Sequence, residues 1–140
     1  MDYEQQITLP NDVAEVPRLA EFIDQACEAA GMDMGTTMQM NLAAEEAVVN
    51  VMNYAYAPGT SGTVEVSARV IDGCLTLVIE DHGTPFDPTA KEAADTTLSA
   101  EERSIGGLGI HLVRELMDSL SYERTDDGRN ILTMTKKWKA

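Results

Sequence analysis

The chain has 140 residues, of which 44% are apolar, and its 24 acidic and 10 basic side chains give a formal net charge of −14. That length holds one ordinary domain, and the apolar fraction is enough for a packed core rather than a disordered chain. Such acidity repels phosphate backbones and anionic lipid surfaces, so the expected partners include no directly bound nucleic acid and no membrane.

The opening residues Met1 to Pro10 lack the basic and apolar regions of a signal peptide, and no apolar run approaches ~18 residues, so a cytoplasmic protein is expected. Cys27 and Cys74 are too few and too far apart in the chain for a disulfide framework or a zinc site. Gln5 to Pro10 reads as a short edge strand stopped by its proline. Asn11 or Asp12 then offers an N-cap for a helix over Val13–Ala30, with Val16, Leu19, Ala20, Ile23, Ala26 and Cys27 at helical spacing and Gly31 after it. Asp33 or the Thr36-Thr37 pair opens a longer helix predicted to run to about Tyr56, where Pro58-Gly59 stops it. Thr63 to Val70 alternates with period two, Asp72-Gly73 is a hairpin turn, and Leu75 to Glu80 is the returning strand.

From Asp81 to Gly109 the periodicity breaks, and a connection this long inside one domain is commonly functional. Ile110 to Leu120 resumes as a helix. Ser121–Arg124 and Ile131–Thr135 then form a second hairpin around Asp126-Asp127-Gly128. The order β-α-α-β-β-loop-α-β-β predicts an α+β two-layer sandwich, with helices on one face of a mostly antiparallel mixed sheet. Charge is uneven along the chain. Seven of the ten basic residues lie from Arg103 onward, so an anion site belongs in the last third.

Three stretches carry chemistry. In a helical projection with Glu46 at zero, Asn50 falls at roughly +40° and Asn53 at roughly −20°, while Ala43, Ala47, Val48, Val51 and Tyr54 cover the adjoining core arc. Glu46, Asn50 and Asn53 therefore form a narrow polar strip at the edge of a buried face. The neutral side-chain oxygen of Asn50 suits Mg²⁺, and Glu46 one turn earlier is placed to take a proton from a hydroxyl or water. An ordinary amphipathic helix with boundary polar residues has the same pattern. Asp81-His82-Gly83 follows an apolar strand. The carboxylate can accept from an exocyclic amine while Gly83 lets the backbone approach a flat ring, although plain turns use the same letters. Finally, Gly107-Leu108-Gly109 precedes a helix, where exposed N–H groups favour an anion and Arg103 adds charge. Glycines also serve there as loop punctuation. The Walker lysine is absent, as are the signature motifs of ordinary protein kinases. Asp81 precedes the glycines, so it is not the ribose-binding acid of a dinucleotide fold.

Glu46-Ala47-Val48-Val49-Asn50 with Tyr54-Ala55-Tyr56, then Asp81 through Pro88, then Gly107-Leu108-Gly109-Ile110 together resemble the GHKL (histidine-kinase-like) ATPase superfamily. More closely, they resemble its anti-sigma-factor serine-protein kinases, across Ile7 to Lys137. Pro85 stands where histidine kinases and gyrase-like ATPases usually carry a further glycine, which favours the anti-sigma branch. Tyr54 stands where some members place a histidine.

The resemblance implies a single histidine-kinase-like ATP-binding domain over residues 1–140, with a mobile lid at about 88–106. It implies ATP and Mg²⁺ as cofactors, Asn50 as metal ligand and Glu46 as catalytic base. Asp81 would meet adenine, Gly107 and Gly109 the phosphates, and Thr133 would supply a hydroxyl that assists adenine binding. It further implies phosphorylation of a small anti-anti-sigma-type antagonist and sequestration of a sigma factor or other regulator. A homodimer through the sheet's open side or the first helix is an implied option. The alternative function is a nucleotide-dependent regulatory binding module without kinase activity.

Overall fold

The computed structural model describes residues 3–57, 59–85 and 107–137. Strand β1 (Tyr3–Pro10) leads through a short 3₁₀ turn, Val13–Glu15, into helix α1 (Val16–Ala30). Helix α2 (Met34–Tyr54), the hairpin β2 (Thr63–Ile71) and β3 (Cys74–Asp81), helix α3 (Gly107–Leu116) and the hairpin β4 (Ser119–Arg124) and β5 (Asn130–Lys137) follow.

Local chemistry accounts for most of these boundaries. Asp12 accepts from the Ala14 N–H at 2.9 Å and Asp33 from the Thr36 N–H at 2.7 Å, so each satisfies an otherwise unpaired donor at a helix start. Asp72 and Gly73 both have positive φ, 51° and 76°, the geometry that matches a two-residue hairpin loop to strand twist. Ile71 and Cys74 accordingly pair across it.

The sheet order is β1-β2-β3-β5-β4, and all four pairings are antiparallel. The α+β two-layer architecture is as expected, with no parallel pairing among the described strands. Val64, Val66, Leu75, Leu77, Ile79, Leu132 and Met134 alternate onto one face and are buried there under the helices. Leu19, Phe22, Ile23 and Ala26 of α1 and Met40, Ala43, Ala47, Val48 and Val51 of α2 close the core from above. At roughly 1.5–3 kcal/mol for each large apolar side chain removed from water, this shared face is the main source of stability. The opposite face carries Glu65, Ser67, Thr76, Thr133 and Thr135.

Several boundaries differ from expectation, some of them beside tertiary hydrogen bonds. Helix α2 ends at Tyr54 rather than Tyr56, and just past its end the Ala55 carbonyl accepts from both the N–H and the hydroxyl of Thr84. Tyr54 is exposed rather than in the core, and Met52, Ala55 and Tyr56 are buried. Helix α3 begins at Gly107, three residues earlier than predicted, and stops at Leu116, whose carbonyl accepts from Lys136 Nζ at 2.7 Å. A cation on the last carbonyls also suits the negative end of the helix dipole. The Asp118 N–H then donates to the Thr135 carbonyl, so β4 starts at Ser119, two residues before the predicted strand.

Candidate functional site

The polar strip of α2 is graded in depth. Glu46 is half-buried, Asn50 is 7% exposed and Asn53 is exposed. Asn50 Nδ2 has no hydrogen-bond partner among the described residues. A buried amide left in that state costs about 1–3 kcal/mol and calls for a ligand or a water. Turning the amide over places Oδ1 at the same point, because the two atoms are distinguished only by their partners. That neutral oxygen fits Mg²⁺, which takes one or two protein oxygens and completes its shell with phosphates and water.

Asp81, the last residue of β3, lies on the helix-facing side of the sheet and is 2% exposed. Asn50 is buried in the layer above that same side. Asp81 Oδ1 accepts from the Gly83 N–H and from Asn130 Nδ2, both at 2.8 Å. Burial raises the carboxyl pKa above its ordinary value, against the opposing pull of those hydrogen bonds and of the Arg124 and His82 charges.

The turn after Asp81 is pinned to the end of α2. The Thr84 N–H reaches the Ala55 carbonyl at 2.7 Å, and the Tyr56 hydroxyl donates to the Thr63 carbonyl while accepting from the His82 N–H. A Cβ on Gly83 would stand 2.2 Å from the Ala55 oxygen, so this glycine is required by the close approach of α2 itself. Gly83→Ala is therefore expected to destabilise the fold by about 1–3 kcal/mol, as overpacking against backbone does. Thermal unfolding should show a Tm lower by several degrees. Gly35→Ala, whose Cβ would meet nothing nearer than an Asp33 oxygen at 3.7 Å, is the control expected to leave Tm unchanged or higher.

An open groove of about 700 Å³ adjoins the turn, lined among others by Ala55, Tyr56, Gly62, His82, Gly83 and Arg124. Asn50 and Asp81 are not among its lining residues, so it neighbours the candidate site and is distinct from it.

Of the residues singled out in the sequence, the structure brings Asp81 and Gly83 to the C-terminal end of α2, the helix that carries Glu46, Asn50 and Asn53. Gly107 and Gly109 lie in the first turn of α3 rather than in a loop before it. Their N–H groups belong to the set that a helix start leaves unpaired within the helix. Helix α3 packs against α2. Thr133 is not brought to this group. It pairs with Val78, and its parity on β5 is opposite to that of buried Asn130, Leu132 and Met134, so its hydroxyl lies on the far face of the sheet. Arg103 and the lid at about 88–106 lie outside the described residues.

The sequence reading missed Asn130. This residue is 3% exposed and sits directly opposite Asp81 in the β3–β5 register. Its Nδ2 donates to Asp81 Oδ1 and to the Thr84 carbonyl, each at 2.8 Å, and its Oδ1 accepts from the Tyr122 hydroxyl and from Arg124 Nη1 at 3.2 Å. The only local signal was an amide at the start of a strand.

Residues 9–136 match the sequence model of a family described as a histidine kinase-like ATPase domain. A serine/threonine-protein kinase, BtrW, from Bordetella bronchiseptica is 34% identical over 96 residues, which is 69% of this chain and 67% of that protein. A serine-protein kinase, RsbW, from Listeria monocytogenes is 31% identical over 111 residues, covering 76% of this chain and 69% of its own length. In three dimensions, the crystal structure of the RsbU and RsbW domains of Rv1364c from Mycobacterium tuberculosis superposes with a TM-score of 0.68. It does so at 18% identity, covering 96% of this chain and 32% of that longer one, a likeness of fold. With a family match over residues 9–136 and kinase relatives above 30% identity, the chain belongs to the histidine kinase-like ATPase domain family, on its serine-protein kinase branch.

Proposed function

We propose that the protein is an ATP-dependent serine kinase that phosphorylates a small antagonist protein, and that it sequesters a sigma factor or another regulator in a partner switch. Two buried polar groups on one side of the sheet carry this reading. Asn50 has an unpaired amide, and Asp81 has one carboxylate oxygen to which no described group donates. The names of the BtrW and RsbW relatives as serine or serine/threonine kinases support the reaction class.

Bound MgATP supplies the transferable phosphoryl group and partial neutralisation of its charge. Asn50 Oδ1 holds the metal, and the second oxygen of Asp81 accepts from the exocyclic amine of the purine. Backbone N–H groups of the first turn of α3, at Gly107 and Gly109, donate to phosphate oxygens, with Arg103 adding positive charge. Glu46 orients the seryl hydroxyl and accepts its proton on a carboxylate oxygen. Among the described residues no helix is long and apolar enough to cross a membrane.

The test is transfer from γ-labelled ATP to small single-domain proteins encoded beside this chain, followed by mapping of the label. Label on a serine of one of them is the expected result. Tight MgADP binding with no label on any candidate would instead support a nucleotide-dependent binding module.

A further inference from the structure

The geometry points to Asn130 as a positioning residue that holds Asp81 as a one-oxygen acceptor, and so selects a 6-amino purine over a 6-oxo purine. The inference rests on the reading that a purine nucleotide meets Asp81.

Asn130 has its hydrogen-bonding capacity fully used. Both N–H bonds of its amide are spent, one on Asp81 Oδ1 and one on the Thr84 carbonyl. Its carbonyl oxygen takes the Tyr122 hydroxyl and Arg124 Nη1. Arg124 Nη1 also donates to the Gly83 carbonyl at 2.9 Å, which ties the same clamp to the turn. Turning the amide over would set its oxygen against two acceptors and its nitrogen against a guanidinium. The surroundings therefore dictate its orientation, unlike that of an isolated asparagine.

The consequence falls on Asp81. With Oδ1 saturated by Asn130 and Gly83, only Oδ2 is left to meet a ligand, and an ionised carboxylate can only accept. The exocyclic amine of adenine offers a donor at that edge. The 6-oxo group of hypoxanthine or guanine offers another acceptor, which the carboxylate repels. Remove the Asn130 amide and the carboxylate loses its anchor and a stabilising donor. No longer held in one orientation, it can turn to accept from the N1–H of a 6-oxo purine, a donor that adenine lacks, so discrimination fails.

The experiment is calorimetric titration of the whole chain with MgADP and with the magnesium complex of inosine diphosphate. For the wild type, the inosine nucleotide is expected to bind at least about a hundredfold more weakly. For Asn130→Ala that ratio should shrink at least about tenfold, and for Asn130→Ser, which keeps one donor, it should lie between the two. Tyr122→Phe removes one of the two donors that orient the amide and should shrink the ratio by a smaller factor, even if Asn130→Ala fails to fold. A merely structural Asn130 would weaken both nucleotides together and leave the ratio intact, which overturns the proposal. Wild-type protein that binds neither nucleotide overturns the nucleotide reading itself, a result separate from an unchanged ratio.

Discussion

Asp81→Asn is expected to leave the protein folded, with a Tm equal to or above that of the wild type at neutral pH, while MgADP binding weakens about a hundredfold. The substituted amide is isosteric. Its Oδ1 can accept from Asn130 and Gly83 as the carboxylate does now. Its nitrogen replaces the only oxygen left for a ligand and sets a donor against the donor of the purine.

The stability half of this prediction follows from the direction of the pKa shift. Burial raises the native carboxyl pKa above the unfolded value, so the native state holds the proton more tightly. Ionisation of Asp81 therefore removes stability as pH rises from the unfolded carboxyl pKa through the raised native one. The wild type bears that cost at neutral pH and the amide does not. Below both values the difference should vanish. Unfolding followed at two pH values, together with calorimetry, separates the effects. Unchanged ADP affinity would remove Asp81 from the nucleotide site.

Glu46→Gln is expected to slow transfer to the seryl acceptor by about 10²–10⁴-fold while changing the Kd for MgADP by less than about twofold. The amide keeps the size and half-buried position of the side chain on α2 and removes only its ability to accept a proton. Single-turnover transfer and equilibrium binding, measured on the same preparation, distinguish this from a binding role. Loss of ADP affinity would make Glu46 a metal ligand or a structural residue instead. The neighbouring amide supplies the contrast. Asn50 is the more deeply buried of the two and has an unpaired atom, so its loss should appear in metal-dependent binding before it appears in proton transfer.

The parts of the fold legible in the chain are those decided within a few residues. Asp12 and Asp33 cap the helices they precede, and Asp72-Gly73 closes the hairpin it predicts. The alternation of Val64, Val66 and Val70 with polar neighbours places the core face of β2 correctly. The errors occur where a distant partner intervenes. Just past the end of α2 Thr84 claims the Ala55 carbonyl, and α3 stops at Leu116, with β4 following after two residues, because Lys136 and Thr135 hold that connection.

The same division runs through the candidate site. The strip Glu46, Asn50 and Asn53 follows from the helical repeat, and Asp81-x-Gly83 from its place at a strand end, because both are local patterns. Thr133 and Asn130 are decided otherwise. They lie three residues apart on one strand, so they occupy opposite faces, and only the β3–β5 register says which of them meets Asp81. That register is set by the burial of Ile79, Leu132 and Met134 beneath the helices, a cooperative outcome of the whole core. Periodicity and capping, being short-range, could specify each element and its polar positions. The identity of the residue that holds Asp81 depends on strands 49 positions apart in the chain, and only their packing brings it into contact.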